Sequence, residues 1–428
     1  LTIEQSVQGI PGDPTISSIN SKKSPGYPYT SLGLNFGKKP WVGKECKCDG
    51  ERWFELKHDV ENLIEEAKTC IPAVYFVATL KDELRPIQKI KDFKTRVFCA
   101  GPMHFTIAFR MYFMRFLSFV QENRLYNESA LGINYYSREW ETLSSYLSHW
   151  DGPTCIAGDY TNFDGSLSNQ IMEKILDIVQ AFYNKYGATE EERTIRRNLW
   201  LCLTRSMVIG RNGCVFRLFN SQPSGNPYTT MINILFNSVV FRMAYAEIFS
   251  RVTAVRRDIY NFEDDVHFIS YGDDNAANIN PRIMEWFNMQ TISDQLKQYG
   301  LTYTDESKSG DLIKGRLLTD INFLKRGFKK VSIFSRTWVA PLDIDTVKEI
   351  FMWVRKGDEN AKKKILADGL ATSLQEMALH GEEAYNDWCI FAQGFEIKEL
   401  LGKDMIPIPD FETNFARVCE KDLDLDQC

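Results

Sequence analysis

The strand-prone run Val266-His267-Phe268-Ile269-Ser270-Tyr271, closing on Gly272-Asp273-Asp274, constrains what this chain can fold into more than any other segment. Aromatic and β-branched residues favour a strand, Gly272 permits a tight turn, and Asn275-Ala276-Ala277 carries the chain back, so the segment reads as a hairpin. Its tip places two carboxylates side by side. Neighbouring acids repel unless a cation sits between them, and hard oxygen ligands select Mg²⁺ or Mn²⁺. A Gly-Asp-Asp turn standing alone is equally an ordinary solvated hairpin tip.

A second acidic element sharpens the metal reading. Gly158-Asp159-Tyr160-Thr161-Asn162-Phe163-Asp164-Gly165 follows the apolar run Thr154-Cys155-Ile156-Ala157 and precedes a helical pattern from Ile171 through Tyr183, so Asp159 is expected to end a strand. Ends of neighbouring strands can bring distant acids together, and Asp159 and Asp273 could then share two ions. Paired metals about 3.5–4 Å apart serve in-line phosphoryl displacement. The third element, Ser224-Gly225-Asn226-Pro227-Tyr228-Thr229-Thr230-Met231-Ile232-Asn233, begins as a Gly- and Pro-rich loop and becomes a long apolar helix through Asn237, Phe241 and Tyr245. Asn233 and Asn237, four apart, share a face of that helix and need partners if buried. Capping by Ser224 or Thr229 explains either residue singly but not the whole string.

With these elements in this order, the chain resembles the RNA-dependent RNA polymerases of picornavirus-like positive-strand RNA viruses. Asp159 with Asp164 is similar to that family's motif A, Ser224-Gly225 with Thr229 and Asn233 to motif B, and Tyr271 to Asp274 to motif C. Leu301-Thr302-Tyr303-Thr304 leading to Lys308 resembles motif D, and Phe323-Leu324-Lys325-Arg326-Gly327-Phe328 resembles motif E. Upstream, Lys81-Asp82-Glu83-Leu84-Arg85, then Lys89 and Lys94-Thr95-Arg96, is similar to motif F, and Ser24-Pro25-Gly26-Tyr27-Pro28-Tyr29 resembles the fingers segment near the template entrance. The resemblance runs over roughly residues 20–400. Within it, the strings around Asp159 and Ser224 look like those of insect picorna-like viruses of the iflavirus or dicistrovirus type.

The resemblance implies an α+β right-hand polymerase. Residues 1–150 and 188–221 would form fingers, and 151–187 with 222–328 a palm whose small antiparallel sheet is covered by helices on one side. Residues 329–428, helical in pattern from Asp345 through Val354, Glu359 to Ala367 and Thr372 to Trp388, would form the thumb. It further implies that Asp159 and Asp273, with Asp274 as auxiliary, hold Mg²⁺ or Mn²⁺. Lys81, Arg85, Lys89 and Arg96 would neutralise the triphosphate, and Lys308 would protonate the leaving pyrophosphate. Asp164, Ser224 and Asn233 would read the ribose 2′-hydroxyl, with Gly225 and Thr229 in the same nucleotide loop, and Lys325 with Arg326 would steady the primer backbone. The plainer alternatives are a solvated basic face, a mobile polar loop around Lys308 and a simple charged turn at Lys325.

Composition bounds the rest. At 428 residues with 44% hydrophobic content, the chain is long enough for two or three packed lobes. A net charge of −6 does not exclude a nucleic-acid enzyme, because binding depends on a local basic groove, expected here from Lys81 to Arg96 and at Lys325 and Arg326. The longest apolar stretches, such as Phe105 to Val120, are broken by Arg110 and Arg115, so no membrane span is expected. Leu1-Thr2-Ile3-Glu4-Gln5 does not resemble a signal peptide and lacks an initiator Met, which suits a processed or truncated product. The family's amino-terminal stretch is longer than the 26 residues that precede Tyr27, so part of a fingers-to-thumb bridge is expected to be missing. The 10 cysteines lack paired metal spacing and are expected as thiols, and His267 is expected to pack rather than ligate.

The partners implied are template and product RNA, ribonucleoside triphosphates, a small viral protein primer and other viral replication proteins, in replication complexes of the host cytoplasm. Two rival readings remain at this level. A reverse transcriptase would share paired acids in a palm, but Asp164 and Asn233 argue for ribonucleotides. A non-enzymatic RNA-binding scaffold would need none of the three aspartates.

Overall fold

The structure, a computed structural model, describes residues 1–33, 37–307, 313–333, 336–354, 358–402 and 406–420. Twelve strands are found there: β1 Tyr75–Leu80, β2 Val97–Ala100, β3 Cys155–Thr161, β4 Met207–Ile209, β5 Val215–Arg217, β6 Val266–Tyr271, β7 Asp274–Ile279, β8 Thr302–Asp305, β9 Asn322–Phe323, β10 Arg326–Gly327, β11 Lys329–Ile333 and β12 Arg336–Val339. They form two four-stranded sheets, ordered β2-β1-β4-β5 and β6-β7-β3-β8, and two short hairpins.

The β6-β7-β3-β8 sheet is antiparallel throughout, and its strands alternate apolar residues towards both faces. Ile156, Tyr160, Phe268, Ala277 and Tyr303 pack into the main core with the helices Asn169–Lys185, Thr229–Ser250 and Met289–Gln298. The opposite face was expected to be bare of helices, yet Cys155, Ala157, Ile269 and Ala276 join Trp140, Leu143, Phe323 and Phe328 in a second cluster. Alanines and a cysteine there leave room for the helix Arg138–Tyr146 and the β9-β10 hairpin to close in. Phe328 stacks on Trp140 with ring centroids 4.8 Å apart, and the two phenylalanines thus pack beneath the sheet.

The helix Thr229–Ser250 is apolar nearly all round, as a helix buried on most sides must be. By length and composition it is the single described helix that could cross a membrane, although more than half of its apolar window is buried within the protein. Residues 329–428 were expected to be helical. They open instead with the β11-β12 hairpin before the helices Ile344–Ile350, Glu359–Ala378, Glu382–Ala392 and Phe411–Glu420, which share their own core around Leu374, Tyr385 and Phe415. The two helical patterns read at Glu359 to Ala367 and Thr372 to Trp388 are divided differently. The first helix runs on to Ala378, and Gly381, at φ 107, makes the break.

Candidate active site

Asp273 is the second residue of the two-residue turn between β6 and β7, which closes on the pair Tyr271 and Asp274. Gly272 has φ 68, the positive value that primed hairpin turns require at this position. A Cβ there would meet only the Thr230 side chain at 3.9 Å, so conformation rather than space demands glycine. On the other side of β7, β3 pairs up to Gly158 with Asn275, and the next step of that register sets Asp159 opposite Asp274. Alternation puts Asp159, Asp274 and Tyr271 on the face that carries Ala157, Ala276 and Ile269 further down.

Asp159 does not end its strand, contrary to expectation. The chain continues as Asp159, Tyr160 and Thr161 pair with Thr304, Tyr303 and Thr302 of β8. The acid therefore sits where β3 changes partners, held on one edge by β8 and facing the hairpin end on the other. Burial raises the Asp273 pKa above the usual carboxylate value, and the charges of Asp159 and Asp164 push the same way, while its own backbone hydrogen bond and Arg96 oppose them. Such mutual repulsion is what a cation would relieve, and the donor set is all oxygen, so the residues fit a hard divalent ion. Among the described residues no group of three or more His, Cys, Asp or Glu stands at metal-holding spacing. The acids would therefore need water or phosphate oxygens to complete a coordination shell, the usual condition of Mg²⁺.

Beneath the turn lies a buried polar network that sequence reading only glimpsed through Asn237. The Asn237 amide donates to the carbonyls of Gly272 at 3.2 Å and Asp273 at 3.3 Å, and its own oxygen accepts from Tyr160 Oη at 2.9 Å. Tyr303 Oη donates to Asn275 Oδ1 at 2.6 Å, and Asn275 Nδ2 reaches the Asp273 carbonyl at 3.4 Å. Burial holds both tyrosines protonated, with pKa values far above the ordinary one. A Cβ on Gly158 would lie 2.1 Å from the Tyr303 ring, so the residue before Asp159 has to be glycine. Among these, Tyr303 stood in the sequence only as part of the string resembling motif D, and Asn275 only as the start of the returning strand.

Asp164 follows β3 in a short 3-10 turn, Phe163–Gly165, entered through Asn162 at φ 55. Asn233 Nδ2 donates to Asp164 Oδ1 at 2.9 Å, so two of the three expected sugar-reading residues meet directly. Gln222, which sequence reading passed over as a flank of the loop, joins them by donating to Asp164 Oδ1 at 3.2 Å and to Asn233 Oδ1. Ser224 is half-buried in the same loop, and the Thr229 hydroxyl donates back to the Asn226 carbonyl at 3.1 Å, so neither caps the helix, which has no side-chain cap. Gly225 bridges to Ala100 of β2, and a Cβ on it would lie 2.1 Å from the Cys99 carbonyl.

The basic residues divide. Glu83, quoted in the sequence only as part of its string, gathers Lys81 at 3.1 Å, Arg96 at 3.5 Å and Arg85 at 3.7 Å. Burial opposes ionisation of Glu83, but the Lys81 hydrogen bond and the charges of Arg96, Lys81 and Arg85 outweigh it and lower its pKa. The Arg96 side chain stays 59% exposed, and its charge reaches Asp273. Lys89 is exposed on the short helix Ile87–Lys91. Lys325 is exposed in a turn where it and Leu324 both have positive φ, 62 and 56. Arg326 corrects the sequence expectation. It is 4% exposed, bonded to both carboxylate oxygens of Glu376 at 2.8 and 2.9 Å, and lies over the Tyr135 ring, so it has no surface to offer a nucleic-acid backbone. Lys308 falls in 308–312, outside the described residues. His267 packs as expected, stacked on Tyr146 with its ring nitrogen 2.8 Å from the Tyr146 carbonyl.

A cavity of about 220 Å³ lined by Ile156, Ala157, Met289, Asp305, Ser307, Ile313 and Arg316 includes none of the three acids. All three acids are half-buried.

Comparison with known proteins places this geometry. A family model described as viral RNA-dependent RNA polymerase matches residues 2–394. The replicase polyprotein of Cricket paralysis virus is 40% identical over 397 residues, which are 90% of this chain and 22% of that protein. The replicase polyprotein of Acute bee paralysis virus is 36% identical over 399 residues, 91% of this chain and 20% of that protein. The chain thus spans about a fifth of the length of these curated relatives. Among solved structures, the Sicinivirus 3Dpol RNA dependent RNA polymerase matches with a TM-score of 0.76 at 21% identity, covering 99% of this chain and 81% of that one. That likeness establishes the right-hand polymerase fold.

Proposed function

The chain belongs to the viral RNA-dependent RNA polymerases, and on that premise we propose that it copies an RNA template by adding ribonucleotides to a 3′-hydroxyl with release of pyrophosphate. The observation that carries this reading is the convergence of Asp159, at the step after the Gly158–Asn275 pair, on the Asp273-Asp274 turn, with Asp164 and Asn233 joined beside it. Asp159 and Asp273, aided by Asp274, hold divalent cations, Mg²⁺ with Mn²⁺ able to substitute. Bound there, such ions lower the pKa of the attacking hydroxyl and neutralise the triphosphate.

The protein's own groups do the rest. Arg96 faces the triphosphate with a guanidinium that never loses its charge, backed by Lys81, Arg85 and Lys89 along the path the nucleotide takes. Glu83 holds three of these four cations in a fan. Asp164, Ser224 and Asn233 contact the ribose hydroxyl, which makes a deoxynucleotide strand their polar groups. Lys308 gives its proton to the leaving pyrophosphate, and Lys325 steadies the primer backbone. In this reading residues 1–150 and 188–221 are fingers, 151–187 and 222–328 palm, and 329–428 thumb. The partners are RNA, ribonucleotides, other viral replication proteins and a small viral protein primer, in replication complexes of the host cytoplasm.

Primer extension on an RNA template with Mg²⁺ tests the reading. Wild-type chain is expected to extend the primer and Asp273→Asn to lose extension while still binding RNA. Equal extension by both proteins would overturn it.

A further inference from the structure

Amide side chains normally leave open which end donates, but the three amides between the Tyr228 backbone N–H and the Asp164 carboxylate are anchored at both ends. The Tyr228 backbone N–H can only donate, and it donates to Asn226 Oδ1 at 2.7 Å. Asn226 Nδ2 must then face outward, and it donates to the Pro223 carbonyl at 2.9 Å and to Gln222 Oε1 at 3.2 Å. That forces Gln222 Nε2 onto Asn233 Oδ1 and Asp164 Oδ1. Asn233 is left with its own Nδ2 on Asp164 Oδ1, the acceptor-only end of the chain. Gln222 is 3% exposed, its backbone N–H also bonds the Asp164 carbonyl at 2.9 Å, and its Nε2 also reaches the Thr229 carbonyl at 3.5 Å, an acceptor that favours the same orientation.

Resting on the polymerase reading, we infer that Gln222 is a positioning residue for sugar selection: it occupies Asn233 Oδ1 and, together with Asn233 Nδ2, places two donors on one Asp164 oxygen. The other carboxylate oxygen is thereby turned to accept from a ribose 2′-hydroxyl. A nucleotide lacking that hydroxyl meets an oriented acceptor with no donor, and the preset geometry cannot relax to hide it. Without Gln222, Asn233 Oδ1 loses its donor and Asp164 Oδ1 keeps only the Asn233 amide, so the carboxylate is held by one hydrogen bond instead of two and its other oxygen is less firmly aimed. Discrimination then falls through weaker use of ribonucleotides rather than through general damage.

The test is steady-state incorporation of GTP and dGTP on one primed RNA template by the full chain, as wild type, Gln222→Leu and Asn226→Asp. Asn226→Asp keeps the acceptor for Tyr228 but removes the donor to Gln222. The expected result is a drop in the ratio of kcat/KM for GTP over dGTP of about ten- to a hundredfold in Gln222→Leu. Asn226→Asp should shift the ratio the same way by less, with dGTP values near wild type in both. Parallel losses on the two nucleotides, or an unchanged ratio, would overturn the inference and leave the polymerase reading standing. Should Gln222→Leu fail to fold, an unchanged ratio in Asn226→Asp alone overturns it. A wild type that extends with neither nucleotide overturns both.

Discussion

The cradle around Asp273 and the basic arm from Lys81 to Val97 are built on opposite principles. In the cradle, Asn237, Asn275, Tyr160 and Tyr303 are all buried and bonded to one another or to the turn's backbone. In the arm, Leu84, Ile87, Ile90 and Phe93 lie in solvent, Phe93 at 93% exposure, and charge pairs around Glu83 tie Lys81, Arg85 and Arg96 together. If the turn holds metal as proposed, a saturated network suits it, because such chemistry tolerates errors of only a fraction of an ångström. If the arm neutralises a triphosphate as proposed, sparse packing is no obstacle, because charge acts over a longer range.

The contrast is open to attack, beginning with the largest effect. Asp273→Asn is expected to cost at least about 10²–10³-fold in turnover, the scale for losing one electrostatic stabiliser, while the fold gains rather than loses stability. The sign follows from the raised pKa. Folded Asp273 binds its proton more tightly than the unfolded chain does, so its unfavourable contribution is absent well below the ordinary carboxylate value. It grows as pH rises through the raised one and is full above it. Melting temperature against pH should therefore fall less over that window in the variant than in the wild type, and Mg²⁺ should raise the wild-type value more. A steeper fall in the variant would contradict the burial and repulsion described.

Asn237→Ala comes next. It strands the Gly272 carbonyl and the Tyr160 hydroxyl, leaves the Asp273 carbonyl with Asn275 Nδ2, and should destabilise by about 1–3 kcal/mol in urea unfolding while lowering turnover. If stability drops with turnover intact, the network is scaffolding alone. Arg96→Ala should raise the KM for ribonucleotides about tenfold with an unchanged unfolding midpoint, since its side chain is largely in solvent, and Arg96→Lys should recover part of the loss. A shifted midpoint would mean that the arm is not as independent as its exposure suggests. The smallest effect belongs to Lys89→Ala, a loss of about twofold that disappears as salt is raised.

A reader of the chain could place Asp273 at a hairpin tip, the Gly272 turn and the helix carrying Asn233, because each depends on neighbours close in sequence, whereas Asp159, expected to end β3, lies inside it because pairing with β8 carries the strand on. Arg326 and Lys325 illustrate the limit. Adjacent in sequence and alike in charge, they part because two positive φ values send one outward and the other onto Glu376, 50 residues away. The second cover of the sheet was likewise hidden, since Ala157 and Ala276 are small enough to suit either solvent or a packed helix.

What the amino-acid order determined by itself was the set of chemical groups, their succession and the local turns that present them. Tertiary structure alone decided which hydrogen bonds those groups make: Gln222 with Asp164, 58 residues apart, and Asn237 with the Gly272 carbonyl, 35 apart. An amide's composition says that it must find partners once buried, but only the packing of strand against helix selects them.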